Sequence, residues 1–118
     1  MNFEEYQKKS RKTAVYPSVS PAANDKGKSS NFIYPSLGLA GEVGELLNKL
    51  KKVIRDKNFK LDEDLTKAIE DELGDILWYL SQLATEFDLS FEKIAEKNIE
   101  KLYSRLERDK IKGQGDVR

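Results

Sequence analysis

The residues best suited to chemistry are carboxylates set in pairs. Glu42 and Glu45 stand three residues apart, and Glu72 and Asp75 repeat that spacing 27 residues after Glu45. On an α-helix, positions i and i+3 share a face, so each pair aims two carboxylates the same way. If the two helices fold back on each other, four carboxylates meet. Four gathered like charges require a cation among them, or protonation of some of them.

The rest of the composition narrows which cation. The chain has 118 residues with no His and no Cys. Imidazole and thiolate ligands are therefore excluded, as are disulfides, a His general base and Ser-His or Cys-His dyads. Zinc is disfavoured, and a metal here would be held by oxygen, which selects Mg²⁺, Mn²⁺ or Ca²⁺. Lys plus Arg number 21 and Asp plus Glu also 21, a formal net charge of 0. Nothing in that balance signals nucleic acid. Basic residues cluster at Lys49, Lys51, Lys52 and Arg55, but acids interleave them. No apolar run approaches the roughly 20 residues of a membrane span. The polar, acidic N-terminus MNFEEYQKKSRK does not read as a signal peptide, so a cytoplasmic location is expected.

The elements that position these acids read as helices throughout. Residues 3–12 predict a short first helix with Phe3, Tyr6 and Gln7 on its inner edge. From Thr13 to Ser30 the helical pattern stops amid Pro17, Pro21, Gly27 and many polar residues. A second helix is expected from Pro35 or Ser36, with Leu39, Val43, Leu46, Leu50 and Val53 as its apolar stripe. It fades between Asp56 and Asn58. Asp62 or Asp64 caps a third helix, whose stripe is Ile69, Leu73, Ile76, Leu80, Leu83 and Phe87. Ser90 caps a fourth, with Ala95, Ile99, Leu102 and Leu106 inward. The expectation is a single all-α domain over residues 1–110: a helical bundle of four to five helices built on one long antiparallel hairpin, with a flexible tail at 111–118.

Set against those stripes, the polar residues fall into rows. Glu42, Glu45, Glu72 and Asp75 each precede a stripe residue by one position, about 100° round the helix. Lys49 and Lys52 continue the first row, and Tyr79 and Gln82 the second. On the fourth helix, Asn98, Lys101 and Arg105 hold the same offset. The heights agree too. The first pair lies roughly 16–21 Å from the hairpin turn and the second roughly 14–18 Å, at about 1.5 Å per residue. An antiparallel hairpin brings them level. Gly38, Gly41, Gly44 and Gly74 remove side chains beside the acids, leaving room for a bound group or a close helix crossing. A lone E-x-x-E in a chain 36% charged is ordinarily a solvated face. The coincidence of level pairs, matching offset and adjacent glycines is what singles these residues out.

The segments GLAGEVGELLNKLKK, ELGDILWYLSQLA and EKNIEKLYSRL together resemble the MazG-like nucleotide pyrophosphohydrolases, an all-α group of NTP pyrophosphatases. The likeness runs from about Leu37 to Arg105, and YQKKSRKTAVYP is similar to the lead-in of single-domain members. It implies Mg²⁺-dependent hydrolysis of the α–β phosphoanhydride of nucleoside triphosphates to monophosphate and pyrophosphate, with Mn²⁺ as an alternative ion. It implies Glu42, Glu45, Glu72 and Asp75 as catalytic metal ligands, and Asn98, Lys101 and Arg105 as substrate contacts, with Lys49 and Lys52 as further candidates. It also implies a homodimer or homotetramer, with no nucleic-acid or membrane partner. The competing expectation is a non-catalytic helical module that binds a nucleotide or a protein on the same scaffold. Tyr16, Phe32 and Tyr34 are candidates either for stacking on the base or for core packing.

Overall fold

A computed structural model describes residues 1–17, 31–56 and 58–112. Four helices occur among them: α1 (Phe3–Arg11), α2 (Ile33–Asp56), α3 (Glu63–Glu86) and α4 (Phe91–Lys112), and there are no strands. The all-α expectation holds. The helix starts are set by local chemistry. The Asn2 side chain accepts from the Glu5 N–H at 2.8 Å, and Asp62 accepts from the Leu65 N–H at 2.7 Å. Ser90 accepts from the Lys93 N–H at 3.2 Å. Each side chain satisfies an N–H that has no partner within the first helical turn. Helix α2 begins two residues earlier than the proline signal suggests. Asn31 Oδ1 accepts from the Tyr34 N–H at 3.2 Å and so caps ahead of Pro35, which is buried in the first turn. Helix α3 stops where Asp88 turns to φ 56°, with the Leu89 N–H closing on the Ala84 carbonyl at 2.8 Å.

Helices α2 and α3 form the expected hairpin and make the most extensive pairing in the molecule. Helix α1 lies against α3. Helix α4 joins at its first turn: Phe91 packs on Phe3 with ring centroids 4.7 Å apart, its N–H donates to Gln7 at 3.0 Å, and Glu92 accepts from the Glu4 N–H at 3.0 Å. Among the described residues, α4 makes no contact with α2. The radius of gyration is 18.0 Å, against about 13 Å for a compact 100-residue domain. The arrangement is the expected helical bundle on a long hairpin, with α4 extending from it as an arm.

That openness changes the core. Val53 is buried, and Leu39, Leu46, Ile69, Ile76 and Leu83 are half-buried. Leu73 and Ile99 remain 52% and 51% exposed, and Leu50, Leu80, Leu102 and Leu106 are exposed as well. The stripes have the expected period, but one hairpin has only one face with which to cover them. Among the described residues, α2, α3 and α4 thus carry exposed apolar residues at helical spacing. Helix α4 runs to Lys112, two residues into the expected tail; the rest of that tail and most of the 13–30 segment lie outside the described residues. Among the described residues no helix is long and apolar enough to cross a membrane.

Candidate metal centre

The hairpin brings acids from both helices together. Glu42 of α2 and Glu72 and Asp75 of α3 each offer one carboxylate oxygen, and the three oxygens lie within 4.8 Å of one another. Glu45 stands one turn further along α2, exposed and outside that set, close enough for its charge to be felt at Glu42. Burial raises the Glu42 carboxyl above the ordinary range. A hydrogen bond shared with Glu72, and the charges of Asp75, Glu72 and Glu45, push it the same way.

Lys49, one turn beyond Glu45, reaches across the hairpin. Its Nζ lies 3.0 Å from Glu72 Oε1, and that contact raises the ammonium above its usual range. Glu72 Oε2 is buried with no hydrogen-bond partner among the described residues. A buried carboxylate oxygen left without a donor is costly. The same carboxylate belongs to an all-oxygen set with Glu42 and Asp75. That is the donor chemistry of a hard divalent cation. The residues present therefore fit a Mg²⁺- or Mn²⁺-type ion.

At the other end the site is closed by an aromatic ring. Tyr79 lies one turn beyond Asp75, and Gly38 one turn before Glu42. A Cβ on Gly38 would overlap the Tyr79 ring, so glycine is required there for close approach. At Gly41, Gly44 and Gly74 a Cβ would meet nothing within 4 Å. Only Gly38 is explained by contact within this chain; the other three leave open surface beside the acids. The Tyr79 phenol is itself raised, by burial first and then by Tyr34, Glu42 and Asp75.

The substrate residues read from the sequence divide by position. Lys49 is in the cluster, and Lys52, a turn further on, is exposed. Asn98 and Lys101 are exposed on α4 and Arg105 is half-buried there. Among the described residues α4 makes no contact with α2, so this row stands apart from the helix that carries Glu42. Tyr16 is 6% exposed and stacks on Tyr34 at 5.2 Å and 9° between planes, and Phe32 stacks on Phe87 at 5.3 Å. Tyr16 thus packs the core, whereas Phe32 and Tyr34 remain exposed and keep both roles open.

Sequence reasoning followed the α3 row as far as Gln82 and missed its end at Glu86. Glu72, Asp75, Tyr79, Gln82 and Glu86 follow a 3-4-3-4 spacing, one unbroken polar row along α3. Its lower end is buried. Gln82 is fully buried and donates to Ser10 Oγ at 3.2 Å, and Ser10 and Ser81 share a hydrogen bond at 2.9 Å. Arg11 donates to Gln82, Glu86 and Tyr16 at 3.2, 3.0 and 2.6 Å. The available signal was that spacing, carried past Gln82 to an acid in a segment otherwise destined for the core.

With three clustered acids on a helix hairpin, the class is an all-α scaffold with an acid-lined site. The chain belongs to the MazG nucleotide pyrophosphohydrolase domain family, which matches it over residues 35–108. It is similar to the Gene 37 protein of Mycobacterium phage L5, 37% identical over 118 residues and spanning the whole of both chains. It is also similar to the uncharacterized protein YpjD of Bacillus subtilis (strain 168), 34% identical over 67 residues, 57% of this chain and 60% of that one. No solved structure matches it.

Proposed function

We propose that the chain is a divalent-metal-dependent hydrolase that cleaves the α–β phosphoanhydride of nucleoside triphosphates, consuming one water and releasing monophosphate and pyrophosphate. The observation that carries this reading is the three carboxylate oxygens within 4.8 Å, one neighbour of which, Glu72 Oε2, is buried without a donor. Glu42, Glu72 and Asp75 would hold the ion, with Glu45 beside them. Mg²⁺ bound there would offset the acid charge and polarise the phosphates. Lys49, already at the cluster, offsets charge on the departing pyrophosphate. No covalent nucleophile is needed, which suits a chain without Cys or His.

The chain acts as a homodimer or homotetramer. The exposed stripes of α2, α3 and α4 supply the contact surface. A second copy would bring its Asn98, Lys101 and Arg105 towards these acids. Substrates of this kind are free nucleotides of the cytoplasm.

A panel of ribo- and deoxyribonucleoside triphosphates incubated with Mg²⁺, with products separated, tests the reaction. Nucleoside diphosphate and orthophosphate as products would sink the bond assignment. Binding across the panel without turnover would favour the non-catalytic module. Asp75→Ala and Glu45→Ala should each abolish turnover with helicity retained; activity in both would remove the metal-site reading. Light scattering should give at least twice the 13.5 kDa chain mass.

A further inference from the structure

One carboxylate, far from the acid cluster, holds the place where α2 starts. Glu86, the last residue of α3, is 6% exposed. Its Oε2 accepts from Arg11 at 3.0 Å and from the Tyr16 hydroxyl, and its Oε1 accepts from the Asn31 N–H at 3.0 Å. Asn31 in turn donates from Nδ2 to the Pro17 carbonyl and caps the first turn of α2 through the Tyr34 N–H. One side chain thus joins the end of α1, the described residues on both sides of 18–30, the start of α2 and the end of α3.

Stability alone is a weak account of this group. A buried ion pair commonly contributes no more than an apolar replacement of equal volume would, whereas fixed registry is its best-attested use. Registry is also what the acid cluster needs. Glu72 and Asp75 sit on α3 with Glu86 and keep their spacing whatever the other helices do. Glu42 is the one clustered acid on α2. Its distance from the other two depends on where α2 starts and how it is rotated. Asn31 is 11 residues before Glu42, about 16 Å of helix at 1.5 Å per residue.

We propose that Glu86 is a positioning residue for Glu42. By binding the Asn31 N–H it sets the register of α2 on α3, and so the spacing of the carboxylates across the hairpin. The inference rests on reading the acids as a metal site.

The test is calorimetric titration of Mn²⁺ into the wild type, Glu86→Gln, Asn31→Ala and Tyr16→Phe, each well below its own thermal midpoint and with helicity checked by circular dichroism. Glu86→Gln should raise the Mn²⁺ dissociation constant by roughly tenfold, the lower end of what outer-shell partners of ligating groups cost. Asn31→Ala, which keeps the carboxylate and removes the cap, should shift it in the same direction. Tyr16→Phe removes a hydrogen bond to Glu86 Oε2 while leaving the Asn31 contact on Oε1 and the ring stacked on Tyr34, and should bind Mn²⁺ as the wild type does. Wild-type affinity in Glu86→Gln with only a lowered thermal midpoint would reduce Glu86 to a structural group and overturn the proposal. An equal loss in Tyr16→Phe and Asn31→Ala would overturn it too, as general loosening. If Glu86→Gln does not fold, the Asn31→Ala and Tyr16→Phe comparison decides. Failure of the wild type to bind Mn²⁺ would instead strike the metal-site reading itself.

Discussion

Lys49 Nζ lies 3.0 Å from Glu72 Oε1, so a cation from α2 already occupies one edge of the acid cluster that a metal would enter. The ammonium and a divalent ion compete for the same negative charge. Removing it with Lys49→Met should lower the thermal midpoint of the metal-free protein and enlarge the rise in midpoint on adding Mn²⁺. Turnover should fall, because the charge facing the leaving group is gone. An unchanged Mn²⁺-induced shift, read by differential scanning calorimetry, would show that Lys49 and the ion do not share the site.

Metal uptake should move a proton. The Glu42 carboxyl is raised, burial being the largest cause, so it holds its proton to a higher pH than an ordinary glutamate does. Ligation needs the carboxylate, so binding weakens as pH falls and strengthens as it rises above the raised value. Titrating Mn²⁺ in two buffers of different ionisation enthalpy measures the proton count. Protons should be released on binding at low pH, and fewer as pH rises. Heats independent of buffer at low and high pH alike would contradict the crowding of Glu42.

Two neighbouring glycines should respond in opposite ways. Gly38→Ala drives a methyl into the Tyr79 ring and should cost about 1–3 kcal/mol, the usual range for overpacking. Gly41→Ala meets nothing within 4 Å and should stabilise α2 by about 0.5–1 kcal/mol through helix propensity. Urea denaturation measures both. If substrate or a second copy comes close at Gly41, that variant gains stability while losing activity.

Tyr16 gives a prediction at high pH. Burial pushes its phenol up to about 12, and the hydrogen bond to Glu86 acts in the same sense. A folded-state value above the ordinary 10 favours the neutral phenol in the fold. Its contribution is complete below about pH 10 and is lost as pH rises towards 12. At neutral pH, Tyr16→Phe should be less stable by about 1.5–3 kcal/mol, as for a hydrogen bond to a charged group. The gap should narrow steadily above pH 10. Absorbance at the phenolate band should lose a late-titrating component in the variant.

Much of this was legible from residue spacing, and the exceptions share a cause. Asp62 and Ser90 announced their caps because the chemistry of a helix start is local. The level acid pairs followed from counting residues back from the turn, since rise per residue is nearly constant. What spacing could not say is which side of a stripe finds a neighbour. Leu73, Leu80 and Ile99 have the period of core residues, yet the described helices leave them exposed. Glu86 and Arg11 have ordinary surface chemistry and lie 75 positions apart, so only the tertiary pairing of α1 with α3 makes them one buried group. Glu45 shows a finer limit. It shares the motif spacing with Glu42, but one further turn of helix carries its oxygens out of the set.

The Tyr79 ring against Gly38 has a consequence for the thermodynamics of the site. A flat, incompressible group fixes how closely α2 and α3 approach one turn from the acids, while mutual repulsion of the carboxylates works to separate them. The hairpin therefore holds its ligands in a preorganised, electrostatically tense arrangement before any ion arrives. The work of assembling the charges is done during folding, and an incoming divalent cation recovers it as affinity.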